Sequence, residues 1–213
     1  ISVLAPAWTQ PLLDRMPEVD HSLALPFAHG DLKLLARRRF GQALSDQAYT
    51  QAILLPNSLK SALIPYFAKI PLRTGWRGEM RGGLLNDCRR LDKARFPLMV
   101  QRFAALAQPA SSASIKRPAS PRLLVSRQQV DTALAKFGLQ EAAQTGRLLA
   151  LCPGAEFGPS KQWPAESFAS SAADLMLLGW RVVILGSAGD AEFAQEIEQS
   201  IATRVGEERR SRC

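Results

Sequence analysis

Apolar residues in this chain fall into two alternating patterns: short continuous runs, and longer stretches that repeat every three or four positions. The runs ISVLA (1–5), AILL (52–55), LLALC (148–152) and WRVVILG (180–186) are continuously apolar, as strands buried on both faces are. Ala24, Leu25 and their neighbours predict one more short extended piece. Between these runs the period changes. From Asp31 to Leu44, residues Leu32, Leu35, Ala36, Phe40 and Ala43 share a helical face, with Asp31 as the N-cap. Pro56 stops AILL, and Asn57 is placed to cap a helix over SLKSALIPYFA; another helix is expected from about Pro97 to Ala107. SRQQVDTALAKFGL predicts a helix. So does the stretch opened by Pro164, whose Phe168, Ala172 and Leu175 share a face and which Gly179 ends. A last helix starts at Asp190 with Phe193, Ile197 and Ile201 in register. Continuous apolar strands alternating with amphipathic helices predict parallel α/β sheets covered on both faces.

Residues 108–122, QPASSASIKRPASPR, break the pattern. They are rich in Pro, Ala and Ser without a hydrophobic period and predict a linker or a long exposed loop between two α/β units. Two facing α/β units predict a two-domain enzyme, with ligands beyond the carboxyl ends of the strands.

Composition narrows the function. The 213 residues are 46% hydrophobic and 22% charged, a globular balance. Cys88, Cys152 and Cys213 are sparse and show no metal or disulfide spacing, which fits a reducing compartment. With only His21 and His29, a histidine-based metal site or a Ser-His-Asp triad has little support, and no apolar run is long enough to span a bilayer. The net charge is +8, and between Lys60 and Arg102 ten basic residues face three acidic ones. Such a patch is either a solvated surface or an attractor of anions: a nucleic acid, an anionic membrane or a phosphorylated substrate. The absence of a nucleic-acid motif and the scarcity of aromatics in the patch count against nucleic acid.

Candidate chemistry lies in loops that follow strands. In CPGAEFGPSKQW (152–163), Gly154 and Gly158 let the backbone approach a ligand, and Lys161 precedes a helix start. Free N–H groups and partial positive charge at a helix N-terminus favour phosphate. In GSAGDAE (186–192), Gly186 and Ser187 leave room for a nucleotide. Asp190 or Glu192 can bond ribose hydroxyls, or Asp190 can serve as a helix N-cap with Glu192 favouring the dipole. In the first half, Lys60, Arg73, Arg77 and Arg81 are interleaved with small residues. Arginine grips phosphate or carboxylate bidentately, and Trp76 is either a core residue or a ligand platform.

Three long segments, APAWTQPLLDRMPEVD, LPNSLKSALIPYFAKIPLRTGWRGEMRGGLLND and CPGAEFGPSKQWPAESFA, occur in an order and spacing that resemble the ADP-heptose:lipopolysaccharide heptosyltransferases, the type II branch most of all. The resemblance covers roughly residues 1–107 and 147–200. It implies a GT-B fold of two Rossmann-like domains, both incomplete in this chain: an acceptor-side domain over 1–107 lacking its first strand, the linker 108–122, and the start of a donor-binding domain over 123–213. It implies inverting transfer of L-glycero-D-manno-heptose from ADP-heptose to the heptosyl-Kdo-lipid A inner core, without metal or other cofactor. The expected setting is a cytoplasmic monomer in peripheral contact with the anionic inner face of the inner membrane, not bound to nucleic acid. On this pattern Lys161 meets the donor phosphates and the leaving group. Gly154, Ala155, Glu156, Ser160, Gly186, Ser187, Asp190 and Glu192 complete the donor side, and Asn57, Ser58, Lys60, Arg73, Arg77 and Arg81 take the acceptor.

Ser160 and Gln162 depart from the family pattern, where Ala and Arg are expected. Both ends read as truncations. The family's Gly-Asp loop, whose aspartate is the expected general base, would precede Ile1, and its Asp-Ser-Gly-x-x-His motif would follow Cys213; the chain alone is therefore expected to be inactive. The alternatives are a type I or III transferase with another acceptor, or a non-catalytic α/β module that binds anionic glycolipid or membrane through the basic patch.

Overall fold

The computed structural model describes residues 1–28, 30–112, 118–155 and 158–211; the side chains of Pro159 and of residues 207–211 are not described. Two compact units divide the chain, Ile1–Leu124 and Val125–Cys213.

The first unit begins with β1 (Ser2–Pro6), a short 3-10 turn (Ala7–Thr9), α1 (Gln10–Leu13) and β2 (His21–Leu25). β1 and β2 pair in parallel from Ser2 opposite His21 to Pro6 opposite Leu25. Next come α2 (Leu34–Leu44), β3 (Gln51–Leu54), α3 (Leu59–Phe67), β4 (Leu72–Trp76), β5 (Asp87–Arg89) and α4 (Met99–Leu106). β3, β4 and β5 form a second parallel sheet, in that order. One core cluster joins Leu54, Ala62 and Leu85; another joins Trp76, Phe96, Ala105 and Leu106.

The first two helix starts differ from expectation. α2 begins at Leu34, with Lys33 in the cap position at φ 39°, because Asp31 is engaged elsewhere: it pairs with Lys33 Nζ at 2.6 Å and accepts from the Ala28 N–H. The expected apolar face of α2 is not the buried one. Leu32 and Leu35 are exposed, whereas Arg37 and Gly41, one turn apart, are enclosed. Arg37 donates to the carbonyls of Leu32 and Asp31, each at 2.8 Å, and its guanidinium lies 4.4 Å above the Phe27 ring. Gly41 lets α2 meet α3: a Cβ there would lie 2.6 Å from the Ile64 carbonyl oxygen and 2.8 Å from Phe67 Cβ. At α3 the cap position belongs to Ser58, not Asn57, and the Leu59 N–H is taken instead by Glu79 Oε2 at 2.9 Å.

β4 and β5 have no counterpart in the hydropathy pattern. β4, LRTGW, mixes charge, hydroxyl and glycine yet buries Thr74, Gly75 and Trp76; β5, DCR, is an edge strand held by its ladder and by an Asp87–Arg89 pair at 2.6 Å. Arg89 draws the Asp87 carboxyl below its usual range, with help from the Thr74 hydroxyl.

The second unit opens with α5 (Arg127–Lys136), where Ser126 and Gln129 bond each other's backbone N–H groups. α6 (Gln140–Gln144), β6 (Leu148–Leu151), α7 (Ala165–Leu177), β7 (Arg181–Ile184) and α8 (Ala191–Ser211) follow. β6 and β7 are parallel, Leu148 opposite Arg181 through Leu151 opposite Ile184. Pro164 stands one residue outside α7, at its cap, and Gly179 follows the helix at φ 82° as expected. The buried face of α7 is a row of small residues, Ala165, Ala169, Ala172 and Ala173. This row lets α8 pack closely through Ile197 and Ile201, over Leu149, Val182 and Ile184.

Gly41→Ala tests the α2–α3 contact. Alanine favours a helix by about 1 kcal/mol, but the new methyl strikes backbone as well as side chain, so we expect a net loss of about 1–3 kcal/mol, read as a lower urea midpoint. An unchanged midpoint would remove the contact from the account of this unit.

Candidate functional site

In the second unit, both strands end side by side. The Leu185 N–H donates to the Leu151 carbonyl at 2.8 Å, so the loops after β6 and β7 leave the sheet as neighbours. Asp190 joins them. Its Oδ2 accepts from the Ser187 N–H and from the Ser187 hydroxyl, both at 2.7 Å. A Cβ at Gly154 would lie 2.9 Å from both carboxylate oxygens, and one at Gly186 would lie 3.0 Å from Asp190 Cβ. Both glycines therefore serve as seats for the Asp190 side chain. Asp190 stands directly before α8. Ser187 occupies the cap position of the short turn Ala188–Asp190, and Asp190 reaches back to it as the third residue of a capping box. Hydrogen bonds from the Ser187 hydroxyl and N–H hold the Asp190 carboxyl below its ordinary value.

Ser160 and Lys161 lie on a 3-10 turn, Pro159–Lys161, and both are exposed; Ala155 is half-buried, and Glu156 lies outside the described residues. Four residues after Lys161, α7 begins without a side-chain cap. The first-turn acid, Glu166, is turned away to the Ser200 hydroxyl and Arg204 on α8. α3 and the Ala188–Asp190 turn, by contrast, have carboxylates of their own at their starts. Glu192 is exposed in the first turn of α8. Nothing in the spacing sets Trp163 apart, yet it stands 51% exposed beside the Lys161 turn, its ring edge-on to Phe168 at 5.0 Å and so anchored to the core.

In the first unit the basic segment divides into two kinds of residue. Arg81 is fully buried. It donates to the carbonyl of Pro56 at 2.5 Å, the carbonyl of Trp76 at 2.6 Å, Asn57 Oδ1 at 3.0 Å and the Ser61 hydroxyl at 3.2 Å. Gly78 lies against the Asn57 carbonyl, where a Cβ would sit at 2.3 Å. The stretch 76–81 is thus a clasp on the turn between β3 and α3. Burial pushes the Arg81 guanidinium pKa down. This corrects the acceptor role expected for Arg81, whose donors all point into the fold. Arg73 is largely committed too, donating to the carbonyls of Leu84 and Ile70 at 2.7 and 2.5 Å. Trp76 is a core residue, its indole N–H bonded to the Arg102 carbonyl.

Asn57, Ser58 and Lys60 follow β3, and exposed Arg77 follows β4, so all four stand beyond strand carboxyl ends. Across the basic patch, Lys69, Arg77, Arg90 and Lys93 are exposed, whereas Arg73, Arg81, Arg89 and Arg102 bond backbone carbonyls. Among the described residues no group of His, Cys, Asp and Glu is arranged to hold a metal, and no helix is long and apolar enough to cross a membrane.

Two variants separate fold from ligand contact in the first unit. Arg81→Met leaves buried acceptors without donors and is expected to lower unfolding free energy by about 2–4 kcal/mol; exposed Arg77→Met is expected to change it by less than about 0.5 kcal/mol. Equal denaturation midpoints for the two would contradict the clasp. Asp190 carries a pH signature. Because its folded pKa is depressed, its contribution is complete above the ordinary value of 3.8 and is lost as pH falls through the folded value. Asp190→Asn should therefore be less stable than the parent at pH 7, with the difference closing in acid; a pH-independent difference in urea midpoint would contradict this.

Residues 37–208 match the model of glycosyltransferase family 9 (heptosyltransferase). The chain is 48% identical over 202 residues to lipopolysaccharide heptosyltransferase 2 of Salmonella typhimurium, covering 92% of this chain and 57% of that protein. It is 46% identical over 211 residues to lipopolysaccharide heptosyltransferase 2 of Escherichia coli, covering 95% and 59%. The solved structure of the E. coli ADP-heptose lps heptosyltransferase II superposes with a TM-score of 0.84 at 43% identity, covering 97% of this chain and 61% of that one. The chain thus spans less than two thirds of the length of these relatives. Its parallel α/β architecture is of the GT-B type, and the chain belongs to glycosyltransferase family 9, the heptosyltransferases.

Proposed function

We propose that the protein transfers L-glycero-D-manno-heptose from ADP-heptose to the heptosyl-Kdo-lipid A inner core of lipopolysaccharide, with inversion at the anomeric carbon and without metal or other cofactor. The observation that carries this reading is the 46–48% identity to lipopolysaccharide heptosyltransferase 2 along nearly the whole chain. The geometry of the second unit supports it. As the acceptor hydroxyl attacks and gives its proton to the general base, the bond from the anomeric carbon to the β-phosphate oxygen breaks and negative charge gathers on ADP. Lys161, on a turn just ahead of the uncapped start of α7, supplies a full positive charge there, and the free N–H groups of the first turn supply partial charge.

In this proposal Gly154, Ala155 and Ser160 line the diphosphate, Gly186 and Ser187 border the nucleoside, and Glu192 reaches the ribose. Asp190 holds the two loops together and acts on the donor through their positions. Asn57, Ser58, Lys60 and Arg77 meet the anionic acceptor, with Arg73 and Arg81 shaping the surface that carries them. The exposed basic residues favour peripheral contact with an anionic cytoplasmic leaflet, where the protein acts as a monomer.

ADP-heptose turnover against heptosyl-Kdo-lipid A tests this on the protein expressed from its complete reading frame. Lys161→Ala is expected to lower kcat by about 10²–10³-fold. Unchanged kcat would remove Lys161 from the mechanism. A panel of inner-core acceptors separates the type II reading from types I and III, which would prefer other members of the panel.

A further inference from the structure

The first unit contains a cleft of about 330 Å³ beyond the carboxyl ends of β4 and β5, separate from the Asn57–Lys60 turn. Trp76 and Arg89, register partners at the ends of the two strands, both line it. Arg89 is committed to the fold. It pairs with Asp87 and donates to the carbonyls of Ala105 and Gln108 at 2.8 and 2.7 Å, which ties the chain after α4 across one side of the cleft. The remaining charged lining residues are Arg90, Arg95 and Asp92. Asp92 Oδ1 already accepts the N–H groups of Ala94 and Arg95, at 2.9 and 3.1 Å. Arg90 is exposed and has no hydrogen bond or ion pair among the described residues. Arg95 lies over the Phe96 ring at 5.1 Å and donates one N–H to the Ser112 carbonyl, which steadies the guanidinium while leaving its other donors. The cleft therefore presents two guanidinium forks against one carboxylate that is already hydrogen-bonded.

We propose that this cleft binds a phosphoryl group, held by Arg90 and Arg95. Two forks match a dianionic oxyanion better than a single carboxylate, because a phosphoryl group offers enough oxygens for both arginines and enough charge to outweigh Asp92. The volume leaves room for the small organic group that carries the phosphate. The site stands on side chains that the donor loops do not share, so it does not depend on the assignment of Lys161.

Cys88 is exposed and lines the same cleft, which makes it a reporter that needs no turnover. In the protein carrying Cys152→Ser and Cys213→Ser, the rate of Cys88 alkylation by iodoacetamide is measured with inorganic phosphate, glycerol 3-phosphate, acetate or chloride at matched ionic strength. Both phosphates are expected to slow alkylation saturably, by about tenfold near ten times the dissociation constant. Chloride should not, and Arg90→Met with Arg95→Met should abolish the protection. Both arginines are exposed, and circular dichroism checks that the double variant keeps its fold. Protection that chloride matches, or that survives in the folded double variant, would overturn the site. Protection by acetate equal to that by phosphate would overturn the phosphoryl assignment.

Discussion

A guanidinium with no water to solvate it constrains the first unit more than any other group. Taking an ion out of water costs several kcal/mol even after relaxation, so Arg81 is tolerable inside only while its donors are satisfied. The satisfying groups come from the end of β4, five residues before Arg81, and from the turn after β3 and the first turn of α3, 20 to 25 residues before it. Meeting that demand fixes the turn 55–58, places Asn57 and Ser58 beyond the strand ends and brings Glu79 onto the start of α3. Arg37 repeats the arrangement on a smaller scale at the start of α2, with carbonyls as acceptors and Phe27 beneath it. In both places a residue type normally given to the surface is used as an internal tie, and the exposed charge of the unit is smaller than its composition suggests.

Hydropathy reports elements whose burial comes from their own side chains. β1, β3, β6 and β7 are legible for that reason, as are the apolar positions Ile197 and Ile201 of α8. β4 and β5 are strands because neighbours pair with them, and LRTGW and DCR carry little of that information locally. The face of α2 is misread for a related reason. Its packing is decided by the absence of a side chain at Gly41 and by a buried arginine, and a rule that looks for large apolar residues registers neither.

The candidate site follows the same division. That loops after β6 and β7 carry the chemistry is legible from glycines placed directly after apolar strands. The roles within them are less so. Asp190 has the composition of a ribose ligand, but the serine three residues earlier claims its Oδ2, a capping box whose spacing is visible once Ser187 is read as the cap. Arg77 and Arg81 look equivalent in GWRGEMR. They differ because Gly78 turns the chain against Asn57, which leaves Arg77 exposed and carries Arg81 into the interior.

The seating of Asp190 on Gly154 and Gly186 has a consequence for how this region can vary between relatives. The three positions form one steric unit, although 36 residues separate the first from the last. A methyl group at either glycine must push the carboxylate away from Ser187, so a single change there disturbs a partner it does not resemble. Acceptable substitutions should come in sets: a larger residue at 154 or 186 together with a shorter side chain at 190 and a new cap at 187. Grafting one of these loops from a relative without the other would transplant half of a contact.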